Sequence, residues 1–91
     1  MSYEYKAVPN FWKKFYALSP SQKESVRKAW VVFKTDPFDA RLRTHKIHSL
    51  SAEYRKTIYA VEIERDLRVV FFIADNTVVT VDVGSHDIYE L

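Results

Sequence analysis

The sequence predicts an α+β domain: a helical hairpin packed on one face of a four-stranded, mainly antiparallel sheet, in the order β-α-α-β-β-β. Three observations lead there. The stretch from Ile58 to Tyr89 holds three runs rich in β-branched and aromatic residues, broken at Glu64-Arg65-Asp66 and at Asp75-Asn76, where turn-forming types cluster. Between Asn10 and Lys34 the apolar residues recur at helical spacing. Residues 2–8, SYEYKAV, alternate with period two, as a half-buried first strand would.

In order along the chain, Pro9 stops the first strand, and Phe11, Phe15 and Leu18 then fall at i, i+4 and i+7 with Lys13 and Lys14 outside. Trp12 and Tyr16 widen the apolar side of this short helix over Asn10 to Leu18. Ser19-Pro20 opens a second helix, because serine caps, proline suits the first helical position and Gln22 completes a capping box. Val26, Ala29, Trp30 and Phe33 give it a core face, and Asp36-Pro37 ends it near Lys34, since the residue before proline avoids helical angles. Residues 38–57, FDARLRTHKIHSLSAEYRKT, show no long period and read as a basic loop pinned by Leu42, Ile47 and Leu50. In the third of the four strands Leu67, Val69, Phe71 and Ile73 alternate with Arg68, Val70, Phe72 and Ala74, so one arginine sits on an otherwise apolar face.

Ninety-one residues with this apolar content make one domain, residues 1–91, near the lower size limit for a single core. There is no cysteine, which removes disulfides and thiolate zinc sites and fits a reducing cytoplasm. No run approaches a membrane span, and the N-terminus lacks a signal-peptide pattern, so a soluble cytoplasmic protein is expected. The net charge of +2 hides two unlike parts. Residues 1–57 carry twelve Lys and Arg against five Asp and Glu, a net of +7, whereas residues 58–91 carry two against seven, a net of −5. The basic part is either an ordinary solvated surface or one that meets a polyanion or an acidic partner.

Four pieces in this order carry a resemblance: Asp36-Pro37 at the helix end, His45-Lys46-Ile47, the run Arg65-Asp66-Leu67-Arg68-Val69-Val70, and the ending Val83-Gly84-Ser85-His86-Asp87-Ile88-Tyr89. Together they resemble the RelE/ParE superfamily of toxins from bacterial type II toxin-antitoxin modules. The RelE-like branch implies a metal-independent endoribonuclease, an mRNA interferase that cuts translated mRNA on the ribosome, inhibits translation and is silenced by a cognate antitoxin in a hetero-oligomer. The ParE-like branch implies the alternative, a toxin without nuclease activity that binds and poisons DNA gyrase. In the RelE-like branch the strand arginine corresponds to Arg68, the C-terminal histidine or arginine to His86, and the aromatic after it to Tyr89. Ala60 and Glu62 stand where founding members have lysines, and the histidine-bearing ending is closer to YoeB-like and YafQ-like relatives.

Cleaving RNA without metal needs a base for the 2′-hydroxyl, a cation for the phosphate and an acid for the leaving oxygen. Arg68 suits the phosphate, or else ion-pairs with Glu62 or Asp82. His86, nearest neutrality in pKa, suits the acid. Glu62, expected on the face of Arg68, could be the base, as could His45 or His48, and Tyr89 could stack on a base. Arg41, Arg43, His45, Lys46, His48 and Arg65 are candidates to grip the RNA backbone. His45 and His48 have no cysteine or carboxylate pair to complete a metal shell, so neither a metal nor another cofactor is expected.

Overall fold

The helix starts and stops are written locally. In the computed structural model, which describes residues 3–89 with His86 and Tyr89 by their backbone alone, Ser19 Oγ accepts the Gln22 N–H at 3.1 Å and Gln22 Oε1 accepts the Ser19 N–H at 3.1 Å. That reciprocal cap starts α2, Pro20–Thr35, which stops at Asp36 in extended backbone before Pro37. Helix α1, Pro9–Tyr16, starts one residue earlier than expected because Pro9 itself takes a first-turn position. Strand β1, Glu4–Ala7, precedes it.

The sheet has five strands in the order β1-β5-β4-β3-β2, where β2 is His45–Lys46, β3 Tyr59–Glu64, β4 Leu67–Ala74 and β5 Thr77–Gly84. β1 runs parallel to β5, and the other neighbours are antiparallel. The α+β class and the helical hairpin on a mainly antiparallel sheet stand as expected, but the sheet gains the two-residue β2 over the four strands predicted. Residues 38–57 are likewise not one loop. They contain a 3-10 turn at Ala40–Leu42, β2, and a short helix α3, His48–Tyr54. The reason is long-range pairing. Ile47 N–H donates to Ile58 O at 2.8 Å, and the Ser51 hydroxyl donates to Ile47 O at 2.8 Å while accepting the Ile58 N–H at 2.9 Å. No side chain caps α3, so its sequence carries no start signal.

The two faces of the sheet bury different clusters. On the hairpin face Phe11 and Phe15 of α1 and Val26 and Phe33 of α2 close over Val61, Val69, Phe71 and Val78. On the opposite face, here the far face, Ile47 and Leu50 pack on Ile58, Ala60 and Val70. Helix α3 therefore covers part of the face opposite the helical hairpin. Leu42, Ile47 and Leu50 are the buried pins expected of this segment. Among the described residues the buried core has one polar member, Thr80, whose hydroxyl finds no hydrogen-bond partner there. An unpaired buried hydroxyl is destabilising. Thr80→Val, which keeps the branched shape, is expected to raise unfolding stability by about 1–2 kcal/mol in a urea titration; a loss of stability would mean that the hydroxyl is satisfied after all.

Candidate functional site at the β3–β4 turn

Register brings three residues into one row. Arg68 of β4 lies opposite Glu62 of β3 on one side and Gly84 of β5 on the other. Directly opposed residues share a face, so Glu62 and Arg68 stand together on the far face, as expected. The Arg68 guanidinium is held rather than loose. Its Nη1 donates to the carbonyl oxygens of Glu64 at 2.7 Å, Arg65 at 3.0 Å and Leu67 at 3.4 Å, and Nη2 stands 3.8 Å from Glu62 Oε1. With its side chain only 11% exposed, Arg68 fixes the β3–β4 turn, and among the described residues its Nε and Nη2 make no hydrogen bond. Of the two carboxylates considered for it, Glu62 is the neighbour. Asp82 instead meets Lys14 of α1 at 2.8 Å.

The C-terminal turn His86–Tyr89 begins two residues after Gly84. It folds back on β5 through Asp87 N–H to Ser85 Oγ at 3.3 Å and Ile88 N–H to Ser85 O at 3.1 Å. Gly84 permits this, because a Cβ there would lie 2.7 Å from Ile88 Cγ2. The backbone of His86 thus follows directly from the residue opposite Arg68. The side chains of His86 and Tyr89 lie outside what the structure describes.

Beside Arg68 a shallow depression of about 490 Å³ is lined by Arg41 and Arg43, by Glu62, Ile63 and Glu64 of β3, and by Arg65 and Arg68. It opens where β2 ends: β2 pairs β3 only at Tyr59 and Ala60, so among the described residues the outer edge of β3 beyond Ala60 has no strand partner. The arginines around it are not equivalent. Arg41 is chelated by Asp39, with Nε to Oδ1 and Nη2 to Oδ2 both at 2.9 Å, and Asp39 Oδ1 also accepts the Arg41 backbone N–H at 2.9 Å. Hydrogen bonds from the Arg41 side chain first, then from its backbone, lower the Asp39 carboxyl to about 2. Arg43 and Arg65 are exposed and make no side-chain ion pair among the described residues.

The six residues expected to grip RNA therefore divide. Arg41, Arg43 and Arg65 share the depression, whereas His45, Lys46 and His48 do not line it. His45 sits opposite Ala60 and Lys46 opposite Tyr59 on exposed β2, and His48 is the first residue of α3. His45 Nδ1 lies 2.9 Å from Arg43 O, so it braces the backbone of the arginine beside the depression. Sequence reasoning missed Asp39, whose signal was present: an aspartate two residues before an arginine at a turn start can cap and pair at once. A second depression, of about 280 Å³, lies between α1 and α2 among Phe11, Phe15, Trp30 and Arg27, with Trp12 and Tyr16 45% and 65% exposed. Those two aromatics widen the apolar side of α1 as expected, toward solvent.

The fold is that of RelE-type toxins. A chain of the archaeal RelE–RelB complex from Pyrococcus horikoshii OT3 superposes with a TM-score of 0.71 at 13% identity, covering 93% of this chain and 96% of that one. YafQ from E. coli strain BL21(DE3) gives 0.72 at 13% identity over 98% and 99%. The YoeB dimer from Staphylococcus aureus gives 0.67 at 18% identity over 94% and 99%. No family model matches the chain, and no curated protein matches it in sequence. At these identities the likeness speaks for the fold. Among the described residues no helix is long and apolar enough to cross a membrane.

Proposed function

We propose that this chain is the toxin of a type II toxin-antitoxin module and cleaves mRNA without a metal, in association with the ribosome in the cytoplasm. The observation that carries the reading is the row Glu62, Arg68, Gly84, which sets a carboxylate and a guanidinium side by side one strand from the backbone of His86. In this reading Nη2 and Nε of Arg68 bind the scissile phosphate, and Glu62 takes the proton of the attacking 2′-hydroxyl. His86 protonates the leaving 5′-oxygen, and Tyr89 stacks on a neighbouring base. Negative charge building on the phosphate is drawn to an arginine already held by three carbonyls, so little reorganisation is needed during reaction. A protein antitoxin is supported by the RelE–RelB complex among the similar structures and by the exposed aromatics of α1, which are costly to leave in water.

The test is induced expression of wild type beside His86→Ala, with primer extension on a translated message. Growth arrest with new 5′ ends is expected, and both should fall by about 10²-fold or more in a variant that still folds. Arrest with intact message would transfer the target to DNA gyrase or another protein, and no arrest at all would overturn the toxin reading.

A further inference from the structure

The depression beside Arg68 holds more positive charge than one scissile phosphate requires, and its donors are sorted by the fold. Arg41 is occupied by Asp39, and Arg68 is held by the turn carbonyls and faces Glu62. Among the described residues that leaves Arg43 and Arg65, both exposed, the first just after the Ala40–Leu42 turn and the second in the β3–β4 turn. Each stands on locked backbone. Arg43 adopts left-handed angles, φ 50° and ψ 40°, which a non-glycine residue holds only when its surroundings enforce it. Here they do: Leu42 before it is buried, Thr44 Oγ1 after it donates to Pro37 O at 2.6 Å, and His45 Nδ1 meets its carbonyl. Arg65 rides the turn whose carbonyls Arg68 grips. Between them the edge of β3 lacks a strand partner among the described residues, so its backbone is approachable.

We infer that Arg43 and Arg65 form a second phosphate-binding subsite, which takes a neighbouring phosphodiester of a single-stranded RNA and leads that strand off the sheet across the open edge of β3, between the Ala40–Leu42 turn and the β3–β4 turn. Arg41, paired with Asp39, is not part of it. Glu64, which also lines the depression, disfavours a lone anion weakly held and favours a group that both arginines contact. The inference rests on the proposed RNA-cleaving function for the identity of its ligand, but its geometry is independent of the catalytic residues.

The probe is a short fluorescein-labelled 2′-O-methyl oligoribonucleotide, which lacks the nucleophilic hydroxyl, titrated against the full chain at several salt concentrations. Arg43→Ala and Arg65→Ala should each weaken binding about five- to tenfold at low salt and flatten the log–log salt slope by about 0.7, the value for one single-strand phosphate contact. Arg41→Ala, which also leaves the Asp39 carboxylate unpaired, should weaken binding by less than either. Asp39→Asn, which keeps an oxygen to cap the Ala40–Leu42 turn but loosens the hold on Arg41, should tighten binding. Thermal melts of each variant separate loss of binding from loss of fold. No measurable binding by the wild type, or Arg41→Ala as harmful as Arg43→Ala in folded protein, overturns the subsite. Cleavage of the corresponding ribo-oligonucleotide or of translated mRNA is scored separately, so intact binding without cleavage would sink the nuclease reading and leave the subsite standing.

Discussion

Arg68→Ala is expected to lower cleavage of a translated message by about 10³-fold, the loss seen when a preorganised donor to a developing charge is removed. The same change also withdraws the clamp on three turn carbonyls. The Glu64 and Arg65 carbonyls sit at an exposed turn and can be taken up by water, and buried Leu67 loses only a long 3.4 Å contact, so the stability cost should stay near 1 kcal/mol. Arg68→Lys separates the two roles. A lysine keeps the charge but cannot hold the turn with one nitrogen and present two more to a phosphate, so its activity should lie close to that of alanine. A folded Arg68→Ala protein with cleavage within tenfold of wild type would remove Arg68 from the chemistry. An unfolded one would make it a turn clamp first.

The largest effect on stability is expected at Phe71. Its side chain is fully buried, edge-on to Phe33 of α2 at 5.1 Å and stacked on Tyr59 of β3 at 5.3 Å, so it joins the hairpin to the middle of the sheet. Phe71→Ala should cost about 3–5 kcal/mol, through lost burial and the cavity left behind. A domain of this size commands roughly 5–15 kcal/mol in total. The melting temperature should therefore fall by on the order of 20 °C, and urea titration of the variant beside wild type gives the figure directly. A cost under about 1 kcal/mol would mean that the hairpin and the sheet do not share one core.

The candidate site was readable in part. Arg68 stood out because strand periodicity put a lone charge on an apolar face, and Glu62 followed by parity from the same pattern, so their partnership across β3 and β4 is what register alone demands. The depression was not readable. It depends on Arg41 and Arg43, more than twenty residues from Arg68 in the chain, being carried to the end of β3 by the burial of Leu42 in the hairpin-face core. Likewise nothing in the sequence announced that Asp82 would go to Lys14 rather than to Arg68, because that choice is made by α1 packing on β5.

What the sequence determined by itself lies within a few residues of each signal. The Ser19–Gln22 capping box, the Asp36-Pro37 stop, the turns at Arg65-Asp66 and Asp75-Asn76, and the alternation of β4 each depend on hydrogen bonds or sterics between near neighbours, and each appears where its residues stand. Tertiary structure alone decided β2, α3 and the parallel pairing of β1 with β5. Tyr5 meets Val78 across more than seventy residues, and His45 meets Ala60 only once Ser51 and Ile47 have bonded to Ile58. Such pairings must first close a long loop against chain entropy, and what repays that cost is burial shared among distant segments, which leaves no periodic mark in any one of them.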